Sequence, residues 1–169
     1  MSETLEPALP DELDRQAERA MRRLCDKKLA VATAESCTGG LLASLLADIE
    51  GAGHGFDRGF ICYSGEAKQQ LLGLPAGLVE QNDAVTAEVA RAMAEGALSR
   101  CDADIALSVT GFAGPAGDKE EGLVFMACAR RRHETLVEER HFGAIGRGPV
   151  RIEALKVLMD LMEDAIEKA

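Results

Sequence analysis

Ser36, Tyr63 and Lys68 are the side chains of this 169-residue sequence whose types and spacing suit nucleophilic chemistry without a histidine. Ser36 stands in Val31-Ala32-Thr33-Ala34-Glu35-Ser36-Cys37-Thr38-Gly39-Gly40, where a short apolar run meets a polar cluster and two glycines. Helical spacing then begins in Leu41-Leu42-Ala43-Ser44-Leu45-Leu46-Ala47, so the segment predicts a strand, a tight turn and a helix start. A helix start offers unpaired N–H groups and a positive dipole end to a phosphate, a carboxylate or a developing oxyanion. Read structurally instead, Ser36 or Thr38 is an N-cap, and Gly39 and Gly40 only permit close packing. Tyr63 and Lys68 span a second predicted strand-to-helix turn, five residues apart, so that a phenol and an ammonium converge on one point. Lysine becomes a general base once burial or neighbouring charge lowers its pKa. The plainer alternative is a solvated helix lysine and a strand tyrosine.

A third segment, Thr110-Gly111-Phe112-Ala113-Gly114-Pro115-Ala116-Gly117, ends a predicted strand in sequence too rich in Gly and Pro for regular structure. In an α/β sheet such strand ends collect sites. Arg147 and Arg151 lie four apart at the start of the last predicted helix, where one face can clamp a phosphate or carboxylate. A pair of solvated charges is the alternative. Cys37 is a rival nucleophile, because helix N-termini depress thiol pKa values, but none of His54, His133 and His141 has a claim to be its partner. The sequence contains neither a G-x-x-x-x-G-K-[ST] phosphate loop nor a G-x-S-x-G elbow.

The elements that must position these residues alternate. The pattern predicts helices over about 11–27, 38–49, 64–72, 86–100 and 149–168, and strands over 29–34, 58–63, 105–109, 123–129 and 135–142. The last two strands form a hairpin around Arg131–His133. This order predicts a single-domain α/β/α sandwich with a mostly parallel, mixed sheet, preceded by a flexible lead-in over 1–10. The length suits one core. A net charge of −10 argues against a nucleic-acid surface and against anionic lipid, and no run reaches a membrane span. Five cysteines without a C-x-x-C pair fit reduced thiols in a cytoplasmic protein, and no ligand spacing suggests a metal. Apolar helices at both ends predict a homo-oligomer, dimer or higher.

Ala34-Glu35-Ser36-Cys37-Thr38-Gly39-Gly40, Gly59-Phe60-Ile61-Cys62-Tyr63-Ser64-Gly65-Glu66-Ala67-Lys68 and Thr110-Gly111-Phe112-Ala113-Gly114-Pro115 occur in this order and at this spacing. Together they resemble the C-terminal domain of the competence/damage-inducible CinA family, in the form of its stand-alone nicotinamide-nucleotide amidases. The resemblance runs from about residue 11 onward. It implies hydrolysis of the carboxamide of nicotinamide mononucleotide to nicotinate mononucleotide and ammonia, without metal or cofactor. Carried over by position, it makes Ser36 the nucleophile and Tyr63 and Lys68 its activators. Thr38, Gly39 and Gly40 fall in the adjoining turn, Thr110 and Gly111 in a substrate-contacting turn, and Arg147 or Arg151 near the phosphate. The loop Asp118-Lys119-Glu120-Glu121-Gly122 is shorter than the family's and lacks its Lys-Pro-Val-Gly-Thr ending. A nucleotide-binding module with weakened catalysis, or an amidase for another nucleotide, is the alternative function.

Overall fold

In the computed structural model, which describes residues 9–168, the alternating pattern becomes a five-stranded mixed sheet between two layers of helices. The expected lead-in, residues 1–10, lies outside the described residues except for Leu9 and Pro10. Helix α1 (Asp11–Asp26) begins at Pro10, whose carbonyl accepts from the amides of Leu13 and Asp14. Three acids in its first turn suit the positive end of the helix dipole. Strand β1 (Val31–Glu35) leads through the Ser36–Gly40 turn into α2 (Leu41–Ala47). Strand β2 (Phe56–Ile61) follows, then α3 (Gly65–Leu72), the short α4 (Ala76–Val79) and α5 (Ala87–Leu98). Strands β3 (Ile105–Gly111), β4 (Leu123–Arg130) and β5 (Leu136–His141) precede α6 (Arg147–Glu167).

The sheet order is β2-β1-β3-β4-β5, with β1 parallel to both β2 and β3, and with β3-β4 and β4-β5 antiparallel. Alternation along each central strand sends side chains to opposite layers. Val31, Ile105, Leu107, Val109, Val124 and Met126 face α1, α2 and α6. Ala32, Ala34, Ala106, Ala127 and Ala129 face α5 and its neighbours. Small residues on that second face let α5 approach closely, and Ser108 Oγ donates to the carbonyl of Ala90 at 2.6 Å. A larger side chain in this layer would overpack it at a cost of about 1–3 kcal/mol. On the first face α1 lies against α6. Leu13, Met21 and Leu24 of α1 and Leu155 and Leu158 of α6 are fully buried, each contributing about 1.5–3 kcal/mol.

Helix α2 starts at Leu41 rather than at residue 38. Gly39 (φ 61°) and Gly40 (φ 103°) hold left-handed conformations that a right-handed helix cannot include, and that β-carbons disfavour. The last helix starts two residues earlier than its pattern predicts, because Pro149 fits the first turn, where no N–H is needed. The sequence also hides α4 and the kinked turn Gln81–Ala84. Among the described residues no helix is long and apolar enough to cross a membrane, and all five cysteines are free.

Candidate active site

Topology explains why three distant segments meet. β1 lies between β2 and β3, and all three strands run the same way, so Ser36 emerges between the ends of the other two. The amide of Ser36 donates to the carbonyl of Val109 at 3.1 Å, and that of Cys62 to the carbonyl of Glu35 at 2.8 Å. Antiparallel β4 and β5 bring Leu123 and His141 to the same end, and the chain then enters α6 at Arg147. A cavity of about 200 Å³ opens there, and its lining includes Ser36, Tyr63, Lys68, Thr110, Gly111 and Arg147. Thr38, Gly39, Gly40 and Arg151, although expected at the site, are not part of that lining.

Lys68 is delivered by the first turns of α3. Ser64 caps this helix by accepting from the amide of Ala67 at 3.0 Å, and Gly73 closes it in a left-handed C-cap. The Lys68 side chain is 2% exposed, and its Nζ reaches Ser36 Oγ at 2.9 Å and the main-chain carbonyl of Tyr63 at 3.2 Å. Among the described residues no carboxylate forms an ion pair with it. Burial lowers its pKa from the ordinary lysine value, and the nearby thiols of Cys62 and Cys37 only partly oppose this. A buried amine at hydrogen-bond distance from a hydroxyl can take that hydroxyl's proton.

Tyr63 and Lys68 line the same cavity, but no hydrogen bond joins the Tyr63 phenol to Lys68 among the described residues. Tyr63 is 70% exposed, and it is its carbonyl oxygen that holds Lys68. The strand ends at Ile61, so Tyr63 leaves the sheet with its ring at the cavity rim. Cys37 also lines the cavity, but burial pushes its thiol up to about 12, which disfavours the thiolate that a cysteine nucleophile needs.

Glu35, quoted in the sequence motif but given no role, organises the turn. Its fully buried carboxylate accepts from Thr38 Oγ1 at 2.5 Å and from the amides of Gly40, Leu42 and Ala43 at 3.2, 3.0 and 2.8 Å. The start of α2 is therefore capped from within the chain, by neither Ser36 nor Thr38, and is closed to a ligand. Thr38 serves this cap. Within the turn, Gly39 donates to the carbonyl of Ser36 and Leu41 to that of Thr38, which leaves the amides of Cys37 and Thr38 without a main-chain acceptor among the described residues.

The other expected residues divide by role. Thr110 Oγ1 donates to the carbonyl of Ala84 at 2.8 Å, so its hydroxyl holds the 81–84 turn. A Cβ on Gly111 would lie 2.8 Å from the carbonyl oxygen of Leu123, so β4 itself requires glycine there. Arg151 Nε donates to the carbonyl of Cys37 at 2.7 Å and braces the Ser36–Gly40 turn. Arg147 lies against Gly114, lines the cavity and forms no ion pair among the described residues. The two arginines thus do not form one clamp. Asp83 also lines the cavity. A run of polar turn residues between predicted helices gave no hint of its place.

The short 117–122 loop is fixed at its end. Gly122 donates to the carbonyl of Phe112 at 2.7 Å and accepts from the amide of Phe142 at 2.9 Å. With φ at 86°, a Cβ on Gly122 would sit 2.3 Å from the carbonyl oxygen of Gly143, so only glycine fits. Lys119 Nζ reaches across to Asn82 Oδ1 at 3.0 Å.

The family model of the CinA C-terminal domain matches residues 13–166. The chain belongs to the CinA C-terminal domain family. A CinA-like protein of Geobacter sulfurreducens is 45% identical over 133 residues, which cover 76% of this chain and 32% of that protein. The chain spans about a third of the length of the curated relatives it matches. Among solved structures, the competence/damage inducible protein CihA of Agrobacterium tumefaciens superposes with a TM-score of 0.89 at 36% identity, covering 99% of each chain. A CinA superfamily protein of Escherichia coli gives 0.83 at 30% identity, over 94% of this chain and 92% of that one. The mixed five-stranded sheet between helical layers is thus the architecture of the CinA domain.

Proposed function

We propose that this CinA domain is a cytoplasmic nicotinamide mononucleotide deamidase that hydrolyses the carboxamide through Ser36. The observation that carries the reading is the 2.9 Å contact between Lys68 Nζ and Ser36 Oγ, made by a buried lysine without a carboxylate partner among the described residues. Neutral Lys68 takes the proton of Ser36 as Oγ attacks the carboxamide carbon, and the C–N bond breaks from the tetrahedral intermediate. The lysine then returns the proton to the departing ammonia. Water, activated by the same amine, hydrolyses the acyl-serine. Because Glu35 occupies the amides of α2, the main-chain amide of cavity-lining Cys37, which has no main-chain acceptor among the described residues, is the donor assigned to the developing oxyanion. The Tyr63 carbonyl orients Lys68, and the exposed Tyr63 ring forms the rim over the substrate. Arg147 reads the phosphate; Arg151 acts behind it, on the turn.

The test is ammonia release from nicotinamide mononucleotide and from its nucleoside, run in parallel. Turnover of the mononucleotide with at least about tenfold lower kcat/KM for the nucleoside supports the reading, because a charged phosphate contact is worth that much. Tight binding of the mononucleotide without ammonia makes the domain a binding module. Equal turnover of both compounds makes it an amidase for another substrate.

A further inference from the structure

Asn82, Asp83 and Ala84 are three consecutive non-glycine residues with positive φ, at 45°, 56° and 60°. Such a run is costly for L-residues, least so for Asn and Asp, and persists only where the surroundings hold it. Here the fully buried Thr110 hydroxyl holds the carbonyl of Ala84 at 2.8 Å, and Asn82 Nδ2 donates to the carbonyl of Val85 at 2.9 Å. Lys119 ties Asn82 from the other side at 3.0 Å. The result is a rigid backbone that sets Asp83 in the wall of the cavity.

Asp83 is the one carboxylate among the described residues lining that cavity, which also presents Lys68 and Arg147. Its own partner is Lys119 Nζ at 3.7 Å from Oδ2, too long for a hydrogen bond, and its side chain is 71% exposed. Asp83 and Arg147 form no ion pair with each other. The cavity therefore keeps a negative and a positive group apart, both available to a ligand.

We propose that Asp83 is a specificity-determining residue that selects substrates whose ring carries a positive charge, so that the site takes a zwitterion with a cationic aromatic ring and an anionic phosphate end. This rests on the amidase reading of the same cavity. In the oxidised mononucleotide the pyridinium ring bears that positive charge; in the reduced, dihydropyridine form the ring is neutral while carboxamide, ribose and phosphate are retained.

The experiment compares Kd by calorimetry, and kcat/KM, for the oxidised and reduced mononucleotides with the unaltered protein and with Asp83→Asn. Asparagine tolerates positive φ as well as aspartate, so the turn is preserved. Asp83→Asn is expected to weaken binding of the oxidised form about fivefold, the upper range for an exposed charge pair, and to leave the reduced form within about twofold. Raising salt is expected to shrink the difference in the unaltered protein and not in the variant. Equal losses for both ligands, which a merely structural role would give, or no loss for either, would overturn the proposal and leave the amidase reading standing. Failure of the unaltered protein to bind either mononucleotide would overturn both.

Discussion

Lys68 Nζ lies 2.9 Å from Ser36 Oγ, 32 residues away in the chain, and the contact joins the first turns of α3, which follows β2, to the turn that follows the neighbouring strand β1. The lysine has lost its water without gaining a carboxylate, and its pKa falls below the ordinary 10.5 for that reason. Only the neutral amine can take the serine proton. The value of kcat/KM is therefore expected to be low in acid and to rise with pH through a midpoint below 10.5, with the free-base form active. Lys68→Arg keeps a cation that does not deprotonate and is expected to remove both the activity and the rise. A pH profile of kcat/KM decides it; a flat profile from acid to pH 10 would contradict a lysine base.

Glu35 makes four hydrogen bonds from a fully buried position, three of them to amides of the α2 start. Glu35→Ala leaves those donors buried and unpaired, and is expected to cost about 2–4 kcal/mol of stability. Glu35→Gln, which keeps one acceptor oxygen, is expected to recover part of that. Denaturant titration measures the loss, and a cost under about 1 kcal/mol would remove Glu35 from its role as the organiser of the turn.

The two arginines of α6 should separate cleanly. Arg147 is exposed on the cavity and unpaired among the described residues, so Arg147→Ala is expected to raise KM for the mononucleotide about tenfold or more, with stability within about 0.5 kcal/mol. Arg151 spends its Nε on the carbonyl of Cys37, so Arg151→Ala is expected to lower stability by about 1 kcal/mol. Michaelis kinetics beside thermal unfolding would show the split. The reverse assignment of the two effects would refute it.

Much of this was legible in the residues. Apolar periodicity located every strand and all the long helices to within a few positions, and Thr86 and Ser64 cap the helices that follow them, at 3.2 and 3.0 Å. Ser36 and Lys68 stood out as candidates because each falls in a polar segment where a strand gives way to a helix. What sequence could not supply was partnership. Glu35 reads as one more polar residue beside Ser36, yet its carboxylate takes the amides that a serine or threonine cap would otherwise take. Tyr63 reads as a catalytic phenol, and the sequence gives no sign that its main-chain carbonyl, past the strand end at Ile61, accepts from Lys68 Nζ. Arg147 and Arg151 share a spacing and not a role, since one helical turn carries Arg151 over the Cys37 carbonyl. The left-handed run at 82–84 has no local signal at Ala84. It exists because Thr110, 26 positions later, holds it.

The central claim is that Ser36 is the nucleophile of an amide hydrolysis. Ammonia release from nicotinamide mononucleotide, measured in EDTA for the unaltered protein and for Ser36→Ala, tests it most directly. Steady turnover is expected in the first and a loss of at least about a thousandfold in the second, with the fold unchanged. Undiminished ammonia release by Ser36→Ala would contradict it.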